Sequence, residues 1–309
     1  MSKKVIVTGA TGLIGKELCS ALSNRGDEVT IFTRNPETAK KILGNKHTYV
    51  KWNYENPNEW LSHLENKDAL IHLAGANLFA KRWNKKYKDV ILESRQLSTK
   101  NLITALNQTK NKVKVFICSS GVGYYGSRGD EILTETSSIG NDFIANVVYA
   151  WETEAAKAQQ MNIRTVMLRQ GIVLSNKGGA LSKLLPPFKF FIGGALGNGQ
   201  QWFPWIHIDD IISIYLFMLD NKNISGPVNT VSPENVRMNE FARILGKVLH
   251  RPSIFKVPAF ALRIAIGEAA STILSSQRVV PKKLIENGFK FRFEKLEDAL
   301  KDLLKTKRA

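Results

Sequence analysis

Along its first half the chain alternates two hydrophobic rhythms. Apolar, β-rich runs occupy Lys4–Thr8, Glu28–Thr33, Ala69–Leu73, Lys114–Cys118 and Arg164–Leu168, and helical spacing fills the gaps between them. Leu13, Glu17, Leu18, Ala21 and Leu22 outline a first helix, which Gly26 closes. Ser98–Leu106 and Asp142–Gln160 read as two further helices. This βαβ alternation predicts an α/β fold, a doubly wound parallel sheet (Rossmann type) with helices on both faces.

After Arg169 the rhythm changes. Gly178–Gly199 is rich in Gly and Pro and reads as an irregular lobe. Trp205–Asp220 predicts a short strand and an apolar helix, Val228–Val231 a further strand, and Asn239–Leu249 a helix in a mostly helical end. The expected division is a dinucleotide-binding domain over 1–170 and 206–231. A smaller, mostly helical C-terminal lobe would comprise 171–205 and 232–309. No linker, low-complexity run or repeat interrupts the 309 residues, of which 43% are hydrophobic, enough for a large core.

The strongest chemical signal is Val5-Ile6-Val7-Thr8-Gly9-Ala10-Thr11-Gly12-Leu13-Ile14-Gly15. A strand runs into a glycine turn and a helix begins at once. Glycines there allow a tight turn, close approach of backbone to a pyrophosphate, and close helix–strand packing. Free N–H groups at the helix start meet the phosphates, so Gly9, Thr11, Gly12, Leu13, Ile14 and Gly15 are the expected binding set. The spacing is G-x-x-G-x-x-G. At the end of the second strand an NAD site would place an acid for the ribose 2′-hydroxyl. This chain has Phe32-Thr33-Arg34 instead. Arg34 can pair with a 2′-phosphate and Thr33 can hydrogen-bond to it, so the expected cofactor is NADP(H).

The glycine motif, His72-Leu73-Ala74-Gly75 and Cys118-Ser119-Ser120-Gly121-Val122-Gly123-Tyr124-Tyr125-Gly126 resemble the extended short-chain dehydrogenase/reductase superfamily. Leu168–Leu174, Gly193–Gly199 and Trp205–Asp210 narrow the resemblance to its epimerase-like branch, whose members are described as NAD-dependent epimerase/dehydratase or nucleoside-diphosphate-sugar epimerase. Val257–Leu304, with Gln277-Arg278-Val279-Val280-Pro281, resembles the small C-terminal domain of that branch, whose function is unassigned. The resemblance spans essentially the whole chain. It implies further cofactor contacts: Leu73 and Ala74 near the adenine side and phosphates, Arg95 reaching the cofactor, and Gly171, Ile172 and Val173 near the nicotinamide.

It also implies a Tyr and a Lys four residues apart on a helix, with a Ser or Thr assisting. None of the seven tyrosines has Lys at the fourth following position. On the expected helix the best match puts Val148 in the tyrosine position and Glu152 in the lysine position, and Gly121 replaces the usual Ser or Thr. The remaining candidates for proton transfer are Ser120 and Tyr124, after the fifth strand, and Tyr149, off the apolar stripe Ile144, Val148, Trp151 and Ala155. Arg82 and Trp83 suit an anionic or cyclic ligand. Gln201 could offer an amide, and His207 with Asp209 and Asp210 could form a proton-transfer pair. Two functions fit: an NADP(H)-dependent oxidoreductase or epimerase-like enzyme acting on a small molecule, or an NADP(H)-binding regulatory protein without catalysis.

Charge and cysteines change this picture little. The chain carries 44 basic and 27 acidic residues, net +17, with denser groups at Lys81–Lys88, Lys110–Lys114 and Lys301–Arg308. None coincides with a nucleic-acid motif, so no specific nucleic-acid partner is expected. Cys19 and Cys118 suggest no disulfide framework and no metal site. Val257–Ile266 is too short to span a bilayer, and Met1 leads almost directly into the first strand. The expectation is a cytoplasmic protein with no membrane partner.

Overall fold

The computed structural model describes residues 2–305. Thr306–Ala309, the end of the basic group Lys301–Arg308, lie outside the described residues. Seven strands, β1 (Lys4–Thr8), β2 (Glu28–Thr33), β3 (Thr48–Lys51), β4 (Ala69–His72), β5 (Val115–Gly121), β6 (Arg164–Gln170) and β7 (Gly226–Thr230), form one parallel sheet. Their spatial order is β7-β6-β5-β4-β1-β2-β3. The order reverses between β1 and β4, and there the strand ends open a crevice of the kind that binds ligands in such sheets.

The strands alternate between two buried faces. Val5, Val7, Ile31, Ile71, Ile117 and Leu168 join one core with Leu18 and Leu22 of α1 (Leu13–Asn24). The next helix in the chain is the short, exposed α2 (Pro36–Leu43). Ile6, Phe32, Leu70, Phe116 and Met167 join the other core with Leu102 and Leu106 of α3 (Lys85–Gln108) and Trp151 of α4 (Phe143–Ala156). Residues adjacent in a strand point to opposite faces, so near-continuous apolar runs suit a sheet covered twice.

Several boundaries differ from the sequence reading. The helix expected at Ser98–Leu106 begins at Lys85, because Asn84 caps it by accepting from the Tyr87 N–H at 2.8 Å. β3 was not expected; Val50 and Trp52 bury an apolar strip too short to show a period. Gly178–Gly199 is not irregular throughout. It holds α5 (Gly179–Lys189) and a strand, Gly194–Leu196. Leu181 and Phe188 of α5 are buried, and this burial outweighs the breaking tendency of Pro186 and Pro187 near the helix end.

Beyond the sheet, short pairs stitch the C-terminal part on. Ile172–Ser175 pairs with Trp205–His207, Trp202–Phe203 with Val236–Arg237, and Arg278–Val279 with Ile132–Leu133. The helices α6 (Ile208–Asp220) and α7 (Met238–Leu249) follow, and the last helix, Leu296–Leu304, packs on α7. Asp210, at the start of α6 and 1% exposed, accepts from the Arg292 and Phe293 amides at 2.8 and 3.0 Å. One carboxylate thus satisfies two backbone donors of a segment eighty residues away. Asp210→Ala should cost about 2–4 kcal/mol in urea unfolding by orphaning both amides, and Asp210→Asn less. Equal stability of all three proteins would remove Asp210 as the clamp.

Candidate functional site

The glycine turn is fitted to its neighbours. Gly9 has a positive φ of 68°, and a Cβ there would sit 2.8 Å from the Leu73 carbonyl carbon and the Ala74 nitrogen. A Cβ on Gly15 would meet the Gly9 oxygen at 2.4 Å. Gly12 precedes α1 without a side-chain cap, and its own amide closes the turn onto the Gly9 oxygen. The amides of Leu13, Ile14 and Gly15 have no partner among the described residues. Thr11 lies in the same turn, and the Leu13 side chain reaches the Gly178–Gly179 bend. Three free amides at the positive end of a twelve-residue helix form an anion-binding geometry.

Behind the turn Thr8 joins the ends of β1 and β4. Its Oγ1 accepts from the Leu73 and Ala74 amides at 3.2 and 3.3 Å and lies 2.7 Å from His72 Nδ1. His72 is fully buried, and burial lowers its pKa to about 3. The ring is therefore a neutral structural group at ordinary pH. Neither Thr8 nor His72 stood out in sequence as more than a motif member; their polarity inside apolar strands was the available signal. At the end of β2 Thr33 is half-buried, and Arg34 is exposed with no carboxylate within salt-bridge distance among the described residues.

The residues named by resemblance divide. Arg95 donates to the carbonyls of Ile91 and Ala76, each at 3.0 Å, and its guanidinium lies 5.3 Å from the Trp151 ring centre. It braces the loop after β4, and a Cβ on Gly75 would come within 3.1 Å of it. Gly171 donates its amide to Thr230 and sits against Pro204, where a Cβ would meet the carbonyl oxygen at 2.5 Å. Ile172 and Val173 continue into the strand paired with Trp205 and Ile206.

A buried polar row crosses the sheet beside this crevice. Ser120, Arg169 and Asn229 stand in register on β5, β6 and β7 and so share one face. Glu152 of α4 descends onto them. It accepts from Ser120 Oγ at 2.5 Å, from Arg169 Nε at 2.9 Å and from Arg169 Nη2 at 2.8 Å. Arg169 Nη1 donates to the Tyr125 hydroxyl at 3.0 Å and to the Glu135 carbonyl at 3.2 Å, and Tyr125 donates to Asn229 Oδ1 at 2.6 Å. Burial pushes the Tyr125 phenol up to about 12. The Tyr124 ring lies 3.5 Å from the Arg169 guanidinium carbon, and its hydroxyl has no hydrogen-bond partner among the described residues. Val148 is buried, close to Gly123. Tyr149 is 51% exposed and likewise unpartnered. Arg169 escaped the sequence reading; a charge inside an apolar strand run signals internal pairing.

The proposed substrate residues point mostly inward. Trp83 is buried, donates Nε1 to the Leu78 carbonyl at 2.7 Å and meets Phe143 edge-on. Arg82 is exposed beside Gly267. Gln201 is buried and donates Nε2 to the Leu196 carbonyl at 2.9 Å. His207 caps α6 through Nδ1, which accepts from the Asp209 amide at 3.0 Å, and its ring lies 3.9 Å from that of Phe293. Burial lowers its pKa, against the raising effects of Asp209 and Asp302. Among the described residues no cluster of His, Cys, Asp and Glu could hold a metal ion.

The Glu152–Arg169 pair is buried on both sides, with side chains 9% and 3% exposed. Arg169→Met should destabilise the protein by about 3–5 kcal/mol in urea, because it strands a buried carboxylate. The double change Arg169→Met/Glu152→Leu should recover a large part of that loss. A single change costing under about 1 kcal/mol would show that water reaches the pair.

The chain is similar to known proteins over nearly its whole length. A profile of the NAD dependent epimerase/dehydratase family matches residues 5–231, and a domain of unknown function (DUF1731) matches 257–303. An epimerase family protein of Staphylococcus haemolyticus is 39% identical, over 98% of this chain and 99% of that one. Epimerase family protein YfhF of Bacillus subtilis is 38% identical over 97% of each. The crystal structure of human epimerase family protein SDR39U1 (isoform 2), solved with NADPH, superposes with a TM-score of 0.86 at 31% identity, covering 97% of this chain and 98% of that one. The chain belongs to the NAD dependent epimerase/dehydratase family.

Proposed function

We propose that this protein is an NADP(H)-dependent oxidoreductase or epimerase-like enzyme acting on a small molecule held at the strand ends. The carrying observation is the open start of α1. Three amides lie free above a turn with no room for a side chain at Gly9 or Gly15. They fit a pyrophosphate, with Leu73 and Ala74 beside it. Among the described residues Arg34 forms no salt bridge, and it stands where an NAD site would place an acid, which suits a 2′-phosphate. The NADPH in the human relative's structure supports the same reading. The cofactor would supply hydride chemistry; the chain binds it, orients it and handles the proton.

Of the three hydroxyls considered for proton transfer, Tyr124 is favoured. It stands just past β5, its ring against Arg169 and its hydroxyl free. Ser120 is held by Glu152, and Tyr149 sits on the outer side of α4. The regulatory alternative draws on one observation: Glu152 occupies the position where the superfamily's lysine would stand. A carboxylate spent on Arg169 offers no cation to a ribose.

Calorimetric titration separates the cofactor claims. NADPH should bind more tightly than NADH, and Arg34→Ala should weaken NADPH about tenfold or more while leaving NADH nearly unchanged, since a charge-assisted contact contributes about 1.5–3 kcal/mol. Equal losses for both would defeat the 2′-phosphate assignment. In a screen of carbonyl compounds read by nicotinamide absorbance, Tyr124→Phe should lower turnover about a hundredfold and Tyr149→Phe little. Tight NADPH binding without any turnover would favour the regulatory reading.

A further inference from the structure

The sequence leaves a net charge of +17 without a function, and the structure places part of it around an exposed apolar surface. No Asp or Glu occurs between Glu154 and Asp209, or between Glu240 and Glu268. The strands Gly194–Leu196 and Phe255–Val257, one from each acid-free stretch, pair in parallel with Gly194 opposite Phe255. Pairing brings together the residues that precede each strand. Phe190, Phe191 and Ile192 come from one side, and Ile254 with Phe255 from the other. All five are exposed, Phe190 by 75% and Ile254 by 78%. The Arg251 guanidinium, 4.4 Å from the Phe191 ring, joins the two turns.

Three features mark this surface as more than loose packing. Phe191 has a φ of 62°, the left-handed region that a bulky residue rarely enters, so the chain accepts backbone strain at the tip that presents it. Lys189, Arg251 and Lys256 are exposed at its rim, and none forms a salt bridge with the described residues. The second turn then continues into α8 (Ala259–Ile266), an apolar helix with no buried residue. Its Phe260 and Ile264, one turn apart, are exposed on either side of the exposed Arg263.

We infer that this surface docks on an anionic phospholipid bilayer. Exposed Phe and Ile enter the acyl boundary, and unpaired Lys and Arg meet the lipid phosphates. A second copy of the chain fits poorly, because a symmetric contact would set one cationic rim against another, and neither acid-free stretch supplies a carboxylate to answer it. The sequence reading expects no membrane partner because no stretch is long enough to span. Lying on a bilayer has no such length requirement. Among the described residues no helix is long and apolar enough to cross a membrane, which agrees with a surface contact.

The test is flotation of the full chain with vesicles of phosphatidylcholine alone and of phosphatidylcholine with about three parts in ten phosphatidylglycerol, at moderate and high salt. The chain should float with the anionic vesicles, much less with the neutral ones, and less as salt rises. Phe190→Ser/Ile254→Ser should weaken partition about tenfold or more, and Lys189→Glu/Lys256→Glu about fivefold for each charge. Both variants should keep the wild-type melting temperature and NADPH titration, because these side chains are exposed and none forms a hydrogen bond or salt bridge with the described residues. No flotation with anionic vesicles would overturn the inference. So would undiminished flotation of both variants, which would assign binding to the charge as a whole. A concentration-dependent dimer in sedimentation velocity, abolished by Phe190→Ser, would overturn it in favour of a second copy.

Discussion

A carboxylate and a guanidinium buried together between sheet and helix constrain everything around them. Removing two charges from water costs several kcal/mol each, and the cost is offset only when every donor and acceptor is matched. Arg169 comes close to this condition: four of its five N–H donors go to Glu152 on one side and to Tyr125 with the Glu135 carbonyl on the other. Each partner arrives from a different element: α4, the turn after β5, and the segment that runs from Ile132–Leu133 to α4. Asn229 of β7 extends the chain of bonds to the Val280 carbonyl at 3.0 Å, and Glu135 Oε1 accepts from the Asn229 and Lys283 amides. The C-terminal segment is therefore fixed to the sheet through the same polar row that borders the crevice.

That row also explains the missing tyrosine and lysine. In the register where a lysine would stand, a carboxylate is needed to neutralise Arg169. Where the tyrosine would stand, Val148 packs near Gly123, and the phenol of the next residue, Tyr149, is exposed. Among the described residues the first three α1 amides and Arg34 have no partner, while Ser120, Glu152, Arg169 and Asn229 are occupied by internal bonds. The glycine turn and the positions of the superfamily's tyrosine and lysine are thus built independently in this chain, and among the described residues the Tyr124 hydroxyl beside Arg169 has no hydrogen-bond partner.

The crevice itself rests on a steric constraint. Gly9 and the Leu73–Ala74 backbone approach too closely for any side chain, and Thr8 holds the two strand ends in that contact through three polar interactions. Neutral, buried His72 completes the junction. A low pKa set by burial, with the nearby Arg95 charge lowering it further, means that His72 carries no charge of its own at ordinary pH.

Much of this was written in local sequence. Near-continuous apolar runs separated by helical spacing dictated the parallel sheet and six of its seven strands, because strand burial on two faces and helix burial on one leave different periods; β3 left no such run. The glycine turn was equally legible, since only glycine tolerates the approach that Gly9 and Gly15 make. Arg34 could be placed at a strand end from order alone. Other features were decided by the tertiary structure. The pairing of Glu152 with Arg169 joins residues seventeen apart, and the bond from Tyr125 to Asn229 joins residues over a hundred apart; neither leaves a periodic trace. Trp83, Gln201 and His207 carry ligand-like chemistry in sequence, but packing turned them to internal partners, because a buried polar atom must find the nearest donor or acceptor that the fold supplies. Helix α5 formed through two prolines for a similar reason: burial of Leu181 and Phe188 is a property of the surroundings, and local propensity cannot record it.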